Sequence, residues 1–484
     1  MSSTLILLFV FAYFIVLLGI AFYTSRGADN ETFFIGKKKS NWMLVAYGMI
    51  GTSLSGVTFM SVPGEVQAKH FTYMQVVIGY LLGYIIVAYV LLPLYYRLNL
   101  TSIYSYLKSR FGLVSYKTGA SFFILSRTLG ASIRIYLVLI VLQHLLLDDL
   151  GVPYFFTVLV ILVLILLYTF NGGVKTIVWT DTLQTTGMIL ALIITIVLIC
   201  NELNFSFAEI FTAIGNKGYT TTFQLSDWQA GNYFLKQILG GAFITITMTG
   251  LDQEMMQKNI SVNTLRNSQK NMMVFSVILV FVNMLFLILG GALYVFAETK
   301  GIQLPEKTDE TFSLIALQHL SPIAGLIFII GLISALFPSA DGALTALTSS
   351  FCIDILGLKD RTDLNENQKT KTRRTVHILI TVVFFILILL YQKLIEASVI
   401  STILKVAGYT YGPLLGLFAF GVLTKRSISD SWYIPLICVI SPVLCYFINE
   451  YSVQLLNGYK FGFELLLLNG TITFLGLMMI SKKS

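Results

Sequence analysis

The chain has 484 residues, of which 56% are hydrophobic and only 12% charged, with a formal net charge of +8. A water-soluble protein would carry roughly twice that charge fraction, which excludes a soluble enzyme and puts most of the chain in lipid. The cysteines (Cys200, Cys352, Cys438, Cys445) and histidines (His70, His144, His319, His377) are scattered, with no CxxC and no ligand cluster, and so argue against a disulfide framework or a structural zinc.

The opening run, "MSSTLILLFVFAYFIVLLGIAFY", lacks a basic leader region and a small-residue cleavage site, and predicts a retained helix. With it, apolar runs near 4–23, 42–66, 72–96, 118–146, 153–170, 177–200, 233–251, 271–296, 322–350, 375–391, 398–423, 431–448 and 461–480 predict an all-α polytopic membrane protein of about thirteen transmembrane helices. Each run is near the ~20 residues that a bilayer requires. The polar interruptions at 201–232, 297–321 and 355–373 are loop-sized, so no soluble domain is expected. "LTSIYSYLKSRFG" reads equally as a short interfacial helix or a plain connection.

Lys and Arg set the orientation. With the N-terminus outside, the cytoplasmic loops hold Arg26, Lys37, Lys38 and Lys39, then Arg97, Lys108, Arg110 and Lys117. Further along they hold Lys258, Arg266 and Lys270, the cluster from Lys359 to Arg374, Lys425 and Arg426, and Lys482 and Lys483. The outer loops hold Lys69, Lys217, Lys300, Lys307, Lys393 and Lys460; one inner loop has Lys175 alone. This is the positive-inside pattern. It predicts a protein of the plasma (inner) membrane with its C-terminus in the cytoplasm. The net positive charge is therefore topology, and no nucleic-acid partner is expected.

Two spans carry breaker and hydroxyl residues: "GMIGTSLSGVTFMSVPG" at 48–64 and "LISALFPSADGALTALTSS", which contains Pro338, Ser339, Asp341 and Gly342. A carboxylate near the bilayer centre costs about 2.5–3.5 kcal/mol on the insertion scale, so something must offset it. Both segments are expected to unwind. Freed backbone at membrane depth needs protein or water around it, and carbonyls with hydroxyls form a hard-oxygen cage suited to Na⁺. Tight packing through small residues is the alternative.

These segments and "NGGVKTIVWTDTLQ" at 171–184 together resemble the sodium:solute symporter family over nearly the whole chain. The resemblance implies a leucine-transporter-like five-plus-five inverted repeat. Residues 42–426 would form the core, with repeats at 42–200 and 233–423, preceded by a helix and loop in 1–41 and followed by two helices in 427–484. It also implies a Na⁺ held by the carbonyls of Gly51, Leu54 and Ala335 and the Ser339 hydroxyl. Pro338 departs from the pattern, standing where a second hydroxyl is usual. Asp341 falls where the sialic-acid branch has a serine of a second Na⁺ site, and Asp181 matches an acidic residue near the Na⁺ path. For Asp341 three readings stand open: facing Na⁺, pairing with Lys405 or Arg134, or carrying a proton.

For substrate, the resemblance points to Ser53, Ser55 and Thr58 beside the first break. The branch's helix-two glutamine aligns at Val77, with Gln75 two positions away. Its carboxylate-binding arginine aligns at Gly130, with Arg127 and Arg134 flanking it on one helical face; Arg134 is a candidate substrate contact, with interfacial snorkelling as the alternative. Asp252 matches a sugar-binding amide position, although Glu254 and Lys258 nearby also fit a helix-end charge cluster. Lys405 precedes Gly408, Gly412 and Pro413, which permit bending, and is expected to line the cavity or to form a structural pair. The implied function is a sodium-coupled secondary active symporter that imports a small polar organic solute by alternating access. The solute is a sugar, a sugar acid such as sialic acid, an amino acid or a carboxylate. Sodium is the only metal and coupling ion expected, with no other cofactor, and the chain is expected to act as a monomer in the lipid bilayer. No HExxH motif or Ser/His arrangement suggests an enzyme. A proton-coupled carrier of the same fold, and more remotely a channel, are the rival readings.

Overall fold

A computed structural model of the chain describes residues 3–26, 30–35, 39–394 and 399–483. Lys37 and Lys38, which contribute to the charge bias, lie outside the described residues. Among the described residues every regular element is helical, apart from isolated bridges at Ser40–Val262 and Ser427–Lys482.

The first helix, α1 (Ser3–Thr24), precedes α2 (Trp42–Ser53) and α3 (Gly56–Gly64), two halves of one broken span. Then come α4 (Val66–Arg97) and α5 (Leu113–Leu142), joined through a short helix, Ser105–Phe111, within the segment that the sequence left as helix or loop. A sharp bend separates α6 (Tyr154–Phe170) from α7 (Gly173–Leu203). Gly173 has φ 52° there, a backbone state that costs glycine little. The second broken span is α8 (Phe234–Gly250) with α9 (Gln253–Ile260), followed by the unbroken α10 (Leu265–Lys300), α11 (Pro322–Ile355) and α12 (Glu366–Leu394). A third bent pair is α13 (Val399–Thr410) with α14 (Gly412–Leu423), at 47°; α15 (Tyr433–Glu450) and α16 (Leu465–Ile480) complete the described chain. This last bend falls where Gly408, Gly412 and Pro413 had been expected to permit one.

Among the described residues, seven helices qualify as spans by length and apolarity, and the three bent pairs raise that to ten. Three shorter apolar helices, Leu8–Thr24, Tyr154–Phe170 and Leu465–Ile480, complete the set of apolar elements. The protein is thus an integral membrane protein built of helices.

One expected break is absent. Residues Pro322–Ser350 form one continuous helix with Pro338 inside it. A proline removes one backbone donor and crowds the carbonyl one turn earlier, here that of Ser334, but the flanking turns continue the helix. The polar side chains next to the proline are engaged by protein: Ser339 donates to the Leu336 carbonyl at 2.9 Å, and the Asp341 carboxylate accepts from Tyr168 Oη at 2.8 Å and Gly342 N–H at 2.5 Å. Pro338, Ser339 and Asp341 are all buried, so these residues face neighbouring helices. Burial within the bundle lets the segment hold a carboxylate without unwinding.

Candidate functional site

The site lies where α2, α5, α7, α9 and α11 converge. In α2 the helix stops at Ser53; Leu54 (φ −90°, ψ 86°) and Ser55 (φ −79°, ψ 175°) are non-helical, and α3 leaves at 54° to α2. A break in mid-span leaves backbone groups without helical partners. Gly51 allows this region to press against its neighbours. A Cβ there would run into the Thr185 hydroxyl, which accepts from Gly51 N–H at 3.1 Å, and would stand 3.4 Å from the Pro338 ring. The first break therefore abuts α11 at Pro338, with Ala335 and Ser339 fully buried on that helix.

The second break was not anticipated. Leu251 and Asp252 separate α8 from α9 at 63°. Asp252 forms the N-cap of α9, accepting from Glu254 N–H at 2.9 Å and Met255 N–H at 3.3 Å, which satisfies otherwise orphaned donors. Its other oxygen accepts from Tyr411 Oη at 3.1 Å, which ties this break to the bend between α13 and α14.

A cavity of about 90 Å³ opens between the breaks. Ser53, Ser55 and Thr58 line it, as expected, together with Arg134. Tyr73, Tyr80, Tyr84, Thr249 and Asn283 also line it, and Tyr73 and Tyr80 bond to each other through their hydroxyls at 3.2 Å. Arg134 makes no hydrogen bond or ion pair with any described residue.

Arg127, two turns earlier on α5, also lines the cavity but is held by ion pairs. It is 3% exposed and pairs with Glu254, while its Nε lies 3.8 Å from Asp252 Oδ2. Glu254 Oε1 lies 3.7 Å from Lys258 Nζ, and Lys258 in turn sits 2.6 Å from Asp181 Oδ2 and 2.6 Å from Thr52 Oγ1. Thr52 donates to Asp181 at 3.2 Å. A buried ionic chain thus runs Asp252–Arg127–Glu254–Lys258–Asp181, from the second break to the first.

Several expectations change. Asp252 is a helix cap and ion-pair member and does not line the cavity. The Gln75 side chain, fully buried, is spent on the Thr72 carbonyl at 3.1 Å and on Gln224 N–H at 3.1 Å, so it braces a loop outside the cavity. Lys405 is exposed and outside the lining, while its neighbours Ile403 and Leu404 do line it. Asp341 pairs with neither Lys405 nor Arg134. Asp181 is held by an ammonium group of the chain itself.

Residues 33–430 match the sodium:solute symporter family. The chain belongs to that family. It is 26% identical over 448 residues to the sodium/sialic acid symporter SiaT of Proteus mirabilis, covering 90% of this chain and 88% of that protein. It is 24% identical over 452 residues to the sodium/sialic acid symporter NanT of Aliivibrio fischeri, covering 91% of this chain and 87% of the relative. Among solved structures it is similar to a Na⁺-coupled sialic acid symporter in a substrate-bound, outward-open state. The TM-score is 0.83 at 21% identity, over 100% of this chain and 99% of the other. A nucleobase-cation-symport-1 family transporter aligns at TM-score 0.57 and 10% identity over 94% of this chain and 95% of the other. These likenesses establish the leucine-transporter-like fold, and family membership makes the protein a sodium-coupled solute symporter, not an enzyme.

Sequence reasoning missed the burial of Glu254 and Lys258, which read as a surface pair at i,i+4. It also missed the tyrosines of α4 at the cavity. Tyr73, Tyr80 and Tyr84 recur at seven and four residues, helical spacing that places them on one face.

Proposed function

We propose that this symporter couples inward Na⁺ movement to uptake of an anionic sugar acid of the sialic-acid kind. The observation that carries this reading is Arg134: a guanidinium lining a cavity among serine, threonine, tyrosine and asparagine side chains, with no carboxylate of its own. A guanidinium offers a planar fork that matches a carboxylate bidentately. The relatives named as sodium/sialic acid symporters support the same class. The present cavity of about 90 Å³ has room for only a few water molecules. Binding a substrate of sugar-acid size therefore requires the lining helices to part.

The coupling Na⁺ would take the carbonyls of Gly51, Leu54 and Ala335 with the Ser339 hydroxyl, and Asp341 adds charge nearby. Support comes from the non-helical backbone at Leu54 and from the contact of Gly51 with Pro338. Na⁺ binding there would tie the first break to α11, and it can shift the state equilibrium only by its differential affinity for the two states. Each charge carried inward gains about 2.3 kcal/mol per 100 mV. The five-plus-five repeat of 42–200 and 233–423 is part of this reading, supported by a broken first span in each half. So are the outside N-terminus, the plasma (inner) membrane and the monomer.

Uptake of a labelled sialic acid into proteoliposomes tests the reading. Replacing Na⁺ by choline at fixed pH is expected to abolish accumulation. Undiminished uptake would transfer the coupling to protons, and absence of uptake alongside uptake of a neutral sugar would remove the assignment to Arg134.

A further inference from the structure

The ionic chain ends in an unusual arrangement. Lys258 is 3% exposed, and its ammonium reaches Asp181 Oδ2 and Thr52 Oγ1 at 2.6 Å each, with Glu254 Oε1 at 3.7 Å. Its three N–H donors thus face two carboxylates and a hydroxyl. These are also the hard oxygens that an alkali cation seeks. Asp181 Oδ1 and Glu254 Oε1 accept no hydrogen bond, so the nest retains oxygen lone pairs beyond those the ammonium uses.

We propose that Lys258 is a built-in cation that occupies the nest formed by Asp181, Thr52 and Glu254, so that no transported Na⁺ binds at Asp181. This rests on the Na⁺-coupled reading above and narrows it: the acidic residue beside the first break neutralises a fixed charge, and coupling runs through the Gly51–Ser339 region. The geometry supports it in two ways. The ammonium lies at direct ion-pair distance, leaving no gap for a second cation between it and Asp181 Oδ2. It is also carried by α9, a helix whose start is capped by Asp252 and whose Glu254 is pinned by Arg127, so Lys258 is held in place by its own element.

Removing the ammonium should therefore create a Na⁺ site. Equilibrium ²²Na⁺ binding to the purified full-length protein counts ions per chain. Lys258→Met is expected to bind one Na⁺ more than the unmutated protein. The double variant Lys258→Met/Asp181→Asn, which removes both charges, is expected to return to the original count. A Lys258→Met protein that folds and binds no additional Na⁺ overturns the proposal. Should that single variant fail to fold, the charge-neutral double variant decides: the original count supports the proposal, and one ion fewer overturns it by making Asp181 a Na⁺ ligand. If the unmutated protein binds no Na⁺ at all and takes up solute equally in choline, the coupling reading fails, a result distinct from either count among the variants.

Discussion

Arg127 and Arg134 stand two turns apart on one face of α5 and line the same cavity, yet they differ in what engages them. Arg127 meets Glu254 and Asp252 in the ionic chain, whereas Arg134 has no acidic partner among the described residues. The same side chain is a structural tie in one place and, in the proposed function, a substrate contact in the other. What separates them is the second break: by ending α8 at Gly250 and starting α9 at Gln253, it brings Asp252 and Glu254 to the level of Arg127 only. A buried charge with its counter-charge specifies architecture. The half-buried Arg134, without one, is the group that the proposed function assigns to substrate.

The sharpest test of this contrast is Arg127→Met. Breaking a buried pair leaves its partners uncompensated and costs about 3–5 kcal/mol, so purified protein is expected to show a large fall in melting temperature with and without substrate. Stability close to that of the unmutated protein would erase the distinction between the two arginines. Arg134→Gln is expected to leave the substrate-free melting temperature nearly unchanged and to weaken substrate half-saturation. A hydrogen bond to a charged group contributes about 1.5–3 kcal/mol, or roughly 10- to 150-fold. The contrast would collapse if this variant lost stability and kept its affinity.

Ser339→Ala probes the cation region with a smaller effect. Loss of one oxygen ligand, about 0.5–1.5 kcal/mol as a net polar interaction, is expected to raise the Na⁺ half-saturation of uptake by a few-fold to ten-fold. Substrate affinity at saturating Na⁺ should hardly move; an unaltered Na⁺ dependence would remove Ser339 from the site. Lys405→Ala is expected to do least. Because Lys405 is exposed and outside the cavity, substrate half-saturation should stay within about two-fold, in keeping with surface substitutions generally.

The spans were legible because apolar runs of bilayer length leave few alternatives, and the break at Leu54–Ser55 was legible because glycine and hydroxyl residues crowd it. Pro338 misled for a physical reason: one proline removes one hydrogen bond, and whether the helix survives depends on its neighbours. Asp252 and Gln75 have residue types suited to substrate, yet Gln75 is consumed by backbone groups and Asp252 by a helix cap, Tyr411 and Arg127, commitments that only tertiary structure reveals. The ionic chain was hidden most thoroughly. Glu254 and Lys258 have the spacing of a solvated helix face, and nothing local says that α5 and α11 cover the one and α2 and α7 the other. The two arginines could be placed on one face from spacing alone; which of them is engaged could not.

The uninterrupted course of α11 has a mechanical meaning. A column missing a single rung still transmits load. From Ser334 to Asp354, whose carboxylate accepts from Tyr116 of α5 at 2.8 Å, the helix spans about 30 Å at 1.5 Å per residue. If Na⁺ binds beside the Pro338 ring as proposed, a tilt imposed there would be delivered to the far anchorage as lever motion, and the Tyr116 grip on Asp354 would have to yield or pivot.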